Sequence, residues 1–340
     1  MKNETTPKLQ ILIPQYKETK AVIEPLLDSI AVQQRIDLKN DISVIIVNDG
    51  SDVLLNCKWL SDYPYDIFYF VAPHEGVSAT RNRLLDHATA DYIMFCDADD
   101  SFYTTHAIWQ IFQTIEEDKF DVMNSAFLEE VCYPDGKLGK LVKHEHDRTF
   151  VHGKVYKRQY LIDNDIRFNP KLSIHEDLFF NTLALVATSK LRYQDTAFYI
   201  WKSRPESVCR SDPDYIMNTY PHLILSNSEL IEELLKRGLT KEASQIMCFV
   251  TLDAYYSLQL PIWHTKEHVG YRDDAERSFA ELYSRHKKLF FDAPIEYRRK
   301  TASGIRGRVV EQGMVMEILS FPEWMQHIDS LIADKTKEQE

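Results

Sequence analysis

The sequence predicts an α/β fold: a mostly parallel central sheet with helices on both faces, followed by a mainly helical C-terminal region. Three observations predict it. Residues 42–47 (Ile-Ser-Val-Ile-Ile-Val) form a nearly continuous β-branched run, as expected of a strand buried on both faces. Strand-like and helix-like stretches alternate through residue 117, the pattern of successive βαβ units. From about residue 214 apolar side chains recur at helical spacing, with Leu223, Leu225, Leu230, Ile231, Leu234 and Leu235 as core candidates.

Taken in order, residues 9–13 (Leu-Gln-Ile-Leu-Ile) read as a buried strand stopped by Pro14. Ile23, Leu26, Leu27 and Ile30 then have helix spacing, and Pro25 suits only a first turn, so this helix is expected to begin near Ile23. The strand at 42–47 ends in the turn sequence Asn48-Asp49-Gly50-Ser51. Residues 67–71 are a further strand, and Ser78 is placed to cap a helix bearing Arg81, Leu84, Leu85 and Ala88. A strand at 91–96 and a helix from about 105 to 117 follow. Residues 121–131 and 137–143 flank Pro134-Asp135-Gly136, which predicts a hairpin. A helix over 174–188 and a strand over 191–200, ending at Trp201, complete a first region assigned to 1–212. The helical region is assigned to 213–340.

The formal net charge of −12 argues against a general nucleic-acid binder. The charge is uneven: residues 277–308 hold nine Lys/Arg against three acids, a net +6. Such a run suits either a solvated helix face or contact with anionic lipid or a phosphate-bearing acceptor. The five cysteines are scattered without a CxxC pair, which fits a reducing compartment and argues against a zinc ribbon. The polar N-terminus lacks signal-peptide character, and no apolar run approaches the roughly 18–20 residues that span a bilayer. The expected location is cytoplasmic, with peripheral contact at the inner membrane face left open.

The chemistry centres on Asp97, Asp99 and Asp100, three carboxylates in four residues at the end of an apolar strand. Like charges this close repel, and a divalent cation is the simplest compensation. Oxygen donors suit Mg²⁺ or Mn²⁺ rather than zinc or copper. The C-terminal end of a strand is also where open α/β sheets bind ligands.

Four segments occur in order: Ile13-Pro14-Gln15-Tyr16-Lys17-Glu18, Val47-Asn48-Asp49-Gly50-Ser51, Asp97-Ala98-Asp99-Asp100 and His175-Glu176-Asp177. Together they resemble the family 2 glycosyltransferases of the GT-A (Rossmann-like) fold, over roughly residues 8–210. The resemblance implies an inverting, metal-dependent enzyme using a UDP-sugar donor. It makes Asp49 the acceptor of a uracil N–H, although Asn48 stands where the family often has a first aspartate. Pro14 and Tyr16 fall at the donor-binding loop, with Tyr16 near the base, while Glu18 reads as surface loop. Arg81, in Gly76-Val77-Ser78-Ala79-Thr80-Arg81-Asn82, would contact the donor or orient the acidic cluster. Asp97 and Asp99 form the DxD motif, with Asp99 expected as the direct Mn²⁺ or Mg²⁺ ligand and Asp97 on the ribose or a metal-bound water. Asp100 would support either or cap the next helix. Asp177 matches the family's catalytic base, and a helix N-terminus there would favour its ionised form. Glu176 would help orient the acceptor, and His175, where the family frequently has glycine, would line the acceptor site. Lys202, Arg204 and Arg210 lie where the family places cations over the diphosphate, and the sequence does not choose among them.

The expected acceptor is a hydroxyl of a cell-surface glycan, a polyol-phosphate polymer of the teichoic-acid kind, or a lipid-linked molecule. The helical region would serve acceptor recognition, homo-oligomer contacts or membrane docking. A membrane-embedded polymerase is disfavoured, since the Gln-x-x-Arg-Trp motif is absent. The rival readings are a non-catalytic sugar-nucleotide or glycan-binding scaffold and a glycosyltransferase acting on modified DNA. A nucleotidyltransferase is disfavoured because Pro14-Gln15-Tyr16-Lys17-Glu18 replaces its glycine- and arginine-rich loop. His144-Glu145-His146-Asp147 is read as an exposed loop rather than a metal cluster.

Overall fold

The computed structural model describes residues 6–133, 137–204, 212, 214–311 and 319–338. The chain divides into two compact units, residues 1–207 and 208–340. The first is built on a nine-stranded sheet. Its parallel half comprises β1 (Leu9–Gln15), β2 (Ile42–Asp49), β3 (Asp66–Ala72) and β4 (Tyr92–Phe95), ordered β3-β2-β1-β4. Helices α1 (Lys20–Ala31), α2 (Cys57–Leu60) and α3 (Val77–His87) connect these strands.

The sheet then becomes mixed. β5 (Ser101–Phe102), β6 (Val122–Cys132), β7 (Leu138–His144), β8 (Lys154–Lys157) and β9 (Leu191–Trp201) extend it in the order β8-β6-β9-β5, with β7 paired to β6. Helices α4 (Ala107–Glu117), α5 (Arg158–Asp163) and α6 (Glu176–Val186) belong to this half. β2 is buried along its whole length, as its β-branched run requires. The core packs Leu9, Ile11 and Ile13 of β1 against Ile23, Leu26, Leu27 and Ile30 of α1. Each such side chain contributes about 1.5–3 kcal/mol by leaving water.

Strand order reverses around β1, with β2 on one side and β4 on the other. A crevice opens beyond the carboxyl ends of such strands. Tyr16 follows β1, Asp49 ends β2, and Asp97, Asp99 and Asp100 follow β4.

Several boundaries differ from expectation for physical reasons. β1 continues through Pro14, paired with Val47, because β4 ends at Phe95 opposite Leu12 and leaves Pro14 no partner on that side. α1 starts at Lys20, so Pro25 lies inside it. Pro25 and Ala21 are both exposed, so water can reach the carbonyl that Pro25 cannot serve. Gly76, not Ser78, precedes α3, since the Ser78 hydroxyl donates to the Leu172 carbonyl at 2.7 Å. The hairpin strands β6 and β7 pair antiparallel, while their turn at 134–136 lies outside the described residues.

The second unit contains α7 (Tyr215–Lys236), α8 (Thr240–Leu258), α9 (Val269–Asp292), α10 (Ile295–Glu311) and α11 (Phe321–Glu338). Its core includes Leu230, Ile231 and Leu234 of α7 and the fully buried Trp324. Leu225, expected in the core, is exposed instead, on the outer side of α7. Among the described residues no helix is long and apolar enough to cross a membrane.

Candidate active site

One face of α3 builds the centre of the site. Ser78, Arg81 and Asn82 lie three and four residues apart, so they share a face. Asn82 binds the Phe168 backbone in both directions: its amide donates to the carbonyl at 2.8 Å and its oxygen accepts the N–H at 2.9 Å. With the Ser78–Leu172 bond, these contacts dock the segment before α6 onto α3. Asp177 in the first turn of α6 is thereby brought to Arg81. His175, just before that turn, has φ +60°. This is a left-handed conformation that glycine adopts freely and that costs other residues about 1–2 kcal/mol.

Arg81 is only 3% exposed, and three carboxylates surround it. One guanidinium nitrogen donates to Glu176 and Asp177, each at 2.6 Å, and the other to Asp97 at 3.0 Å. Its planar group also lies 5.3 Å from the Phe168 ring centre. Burial disfavours the Arg81 charge, but the carboxylates of Asp177, Asp97 and Glu176 outweigh that and hold it protonated. Burial also opposes ionisation of Asp97, and Arg81 overcomes it, keeping this carboxyl below the usual range.

Asp177 behaves oppositely. Burial pushes its pKa up to about 7, against the pull of Arg81 and a Val151 N–H that donates to it at 3.2 Å. The helix terminus expected to favour ionised Asp177 is present, but burial outweighs it. A helix end supplies at most about 2 kcal/mol, roughly one and a half pH units, which burial exceeds.

Beyond β4 the acidic turn is tied to β9. The Tyr199 hydroxyl accepts the Asp97 N–H at 2.9 Å and donates to the Asp100 carboxylate. The Lys202 N–H also donates to Asp100, at 2.9 Å. Asp100 is fully buried, and burial, with Asp97 and Asp99 adding to it, drives its pKa well above the usual range. Asp99 pairs with the Arg204 guanidinium at 2.6 Å. Among the described residues, Asp97, Asp100 and His152 group their donor atoms within 4.8 Å of one another. His152 is buried, and its Nδ1 has no hydrogen-bond partner among the described residues. An orphaned nitrogen facing two carboxylates is a donor set that a divalent cation satisfies.

At the far end of the crevice, Asp49 accepts the Glu75 and Gly76 N–H groups at 3.0 Å each and meets His74 Nδ1 at 2.8 Å. Tyr16 is 41% exposed and stacks on His74, with ring centres 4.6 Å apart. Gly50 allows this approach: its φ is +72°, and a Cβ there would stand 2.4 Å from the His74 nitrogen. Pro14 is half-buried in β1. Arg204 lies in the acidic turn's surroundings, Lys202 reaches the turn through its backbone, and Arg210 lies outside the described residues.

The sequence model of glycosyl transferase family 2 matches residues 10–182, just over half of the chain. The chain belongs to this family. As a family 2 glycosyltransferase it has the GT-A architecture, and its solved neighbours agree. The crystal structure of S. aureus TarS superposes with a TM-score of 0.61 at 17% identity, over 89% of this chain and 53% of that one. TarS 1–349 in complex with UDP-GlcNAc gives a TM-score of 0.60 at 18% identity, over 88% of this chain and 92% of that one. In sequence, the chain is 24% identical to the glycosyltransferase EpsJ of Bacillus subtilis over 224 residues, 59% of this chain and 63% of EpsJ. It is also 24% identical to the poly(ribitol-phosphate) beta-N-acetylglucosaminyltransferase TarS of Staphylococcus aureus, over 56% of this chain and 35% of TarS. The chain thus spans less than two thirds of the length of these two relatives.

In this glycosyltransferase the structure brings Arg81, Asp97, Glu176 and Asp177 into direct contact, and Asp99 to Arg204. Tyr16 and Asp49 meet through His74. Sequence reasoning missed His74, although a histidine followed by Glu-Gly before a helix was a usable signal. The segment His152-Gly153-Lys154-Val155-Tyr156-Lys157 resembles a family segment leading into the base helix, but that resemblance gives His152 itself no role. Sequence reasoning also read His144 to Asp147 as an exposed loop. His144 instead ends β7, stacks on Phe127 and pairs with Glu129 at 2.7 Å, and Asp147 braces the loop into β8.

Proposed function

We propose that this glycosyltransferase moves a hexose or N-acetylhexosamine from a UDP-sugar to an acceptor hydroxyl with inversion, in a single displacement. The observation that carries this reading is the Arg81 guanidinium shared by Asp97 and Asp177, which joins the DxD motif to the base candidate. The Asp177 carboxylate takes the acceptor's hydroxyl proton. The acceptor oxygen forms its bond to the anomeric carbon as the bond to the diphosphate oxygen breaks, and UDP leaves with that electron pair. A base with a pKa near 7 suits this task, because it is substantially ionised at neutral pH and still basic enough to receive the proton.

A divalent cation, Mn²⁺ or Mg²⁺, held at Asp97 and Asp99, would neutralise charge on the departing diphosphate when bound. Tyr16, Asp49 and Pro14 would hold the nucleotide, with Arg204, Lys202 or Arg210 beside the diphosphate. His175 and Glu176 would face the acceptor. UDP-GlcNAc in the TarS complex supports a UDP-sugar donor, and the poly(ribitol-phosphate) activity in the TarS name supports a polyol-phosphate acceptor beside glycan and lipid-linked ones. We assign the catalytic region to 1–212 and acceptor, oligomer or membrane contacts to 213–340, with the basic 277–308 run meeting anionic lipid at the inner membrane face.

UDP release across a panel of UDP-sugars, with and without Mn²⁺, tests this reading. Metal-dependent release that Asp177→Asn abolishes while UDP binding persists is the expected result. UDP binding without turnover on any acceptor would leave the scaffold reading standing instead.

A further inference from the structure

We infer that His152 is a nitrogen ligand of the divalent cation, and that it biases this site toward Mn²⁺ over Mg²⁺. The inference rests on the metal-dependent reading above and adds a ligand from outside the DxD motif.

His152 lies in the loop before β8. It stacks between Phe150 and Tyr199, at ring-centre distances of 5.3 and 5.1 Å and interplanar angles of 11° and 15°. Phe127 closes a third side edge-on at 5.3 Å. The ring is therefore fixed in orientation. Its position is fixed by Gly153, whose φ is +68° and where a Cβ would meet the Ser125 hydroxyl at 2.9 Å. Only 3% of His152 is exposed, and its Nδ1 faces the Asp100 carboxylate at 4.0 Å, too far for a hydrogen bond. Leaving such a buried nitrogen unpaired costs about 1–3 kcal/mol.

A cation between these groups removes that cost. Donors around one Mn²⁺ or Mg²⁺ stand at about 2.1 Å from it, and hence about 3–4 Å from one another. The Asp97, Asp100 and His152 donors already lie within 4.8 Å, and Asp97, the most exposed of the three, can close the remainder by rotation. Among the described residues Asp100 accepts from the Tyr199 hydroxyl and the Lys202 N–H, which leaves lone pairs on its carboxylate. A neutral imidazole is the form that binds a metal, and the unpaired Nδ1 is the nitrogen turned toward the carboxylates. Mg²⁺ strongly prefers oxygen donors, whereas an imidazole in a mixed set favours a transition metal. Asp99, paired with Arg204, can join once a diphosphate draws that arginine away.

The test uses the full chain stripped of metal, with Mn²⁺ binding followed by electron paramagnetic resonance, alone and with UDP. His152→Phe keeps the ring stack without the nitrogen, and His152→Gln controls for loss of the aromatic. Pulsed measurements on the wild type should show ¹⁴N coupling from one bound imidazole, absent in both variants. Mn²⁺ affinity should fall about tenfold or more, with Mg²⁺ affinity falling less, while thermal midpoints stay comparable. Bound Mn²⁺ without imidazole coupling, coupling that survives in His152→Phe, or no Mn²⁺ binding at all would overturn the assignment. UDP release and metal-free UDP binding are scored separately, so imidazole-coordinated Mn²⁺ in a protein that transfers no sugar would sink the proposed function and leave this inference intact.

Discussion

Asp97 and Asp177 are held by the same guanidinium, at 3.0 and 2.6 Å from Arg81. They sit 80 positions apart in sequence, and in the proposed reaction one would serve the donor side and the other the acceptor side. A buried arginine between them fixes their separation and divides their protonation. Asp97 stays ionised below the usual range, while burial leaves Asp177 able to take up a proton near neutrality.

Arg81→Lys should therefore damage catalysis more than nucleotide binding. A lysine is a point charge and cannot bridge the two acids in a fixed plane. A misplacement of about 1 Å in such an arrangement costs around 10²-fold, so kcat should fall by about that factor. Arg81→Ala leaves three carboxylates facing one another and should destabilise the fold by about 3–5 kcal/mol. Steady-state kinetics and calorimetry separate the two effects, and an unchanged kcat in the lysine variant would remove the bridge from the mechanism.

The pH dependence follows from Asp177. It must be ionised to act as a base, so kcat/KM should rise with pH through a limb near pH 7. Its folded pKa lies above the ordinary carboxylate value, so its contribution to stability is fully present below about pH 4 and is lost as pH rises through about 7. Asp177→Asn carries no such titration. The variant should lose about 10²–10⁴-fold in rate, and its melting temperature should gain on the wild type as pH rises from 5 to 8. Parallel melting curves at every pH would contradict the raised value.

Much of this was legible before any coordinates. The parallel half is written in β-branched runs, and the Asp97 and Glu176-Asp177 segments quoted from the sequence meet at Arg81. What escaped were features set by partners distant in sequence. Ser78 looks like a cap until Leu172 claims its hydroxyl, and Pro25 looks like a helix start until its exposed face is known. The short strands β5 and β8 carry too few residues to show a period, and they exist through pairing with β9 and with β4 and β6. His152 gains its setting from Gly153, four aromatic rings and two acids that the fold gathers around it.

Tyr16 offers a test of the donor end. Its ring is exposed, stacked on His74, and close to the Asp49 that the nucleotide would meet. Base–aromatic stacking is worth about 1–3 kcal/mol. Tyr16→Ala should weaken UDP binding by about tenfold in calorimetry, with kcat at saturating donor within about threefold of wild type. A kcat loss with unchanged UDP affinity would move Tyr16 out of the nucleotide site.

Lys154 connects a buried charge to Asp177, the base candidate. It is fully buried, and burial lowers its pKa against the attraction of Asp147. Its ammonium reaches Asp147 at 3.4 Å and the Phe150 carbonyl, while Asp147 accepts the Thr149 and Phe150 N–H groups. That braced loop delivers the Val151 N–H to Asp177. Lys154→Met removes a nearby positive charge and slackens the loop, and both changes disfavour ionised Asp177. The alkaline-rising limb of kcat/KM should move to higher pH, and the fold should lose about 3 kcal/mol, the scale for unpairing a buried ion pair. Lys154→Arg keeps the charge and should leave the limb near pH 7 even if packing lowers the melting temperature. If both variants lose stability but neither shifts the limb, Lys154 is a structural residue with no electrostatic hold on the base.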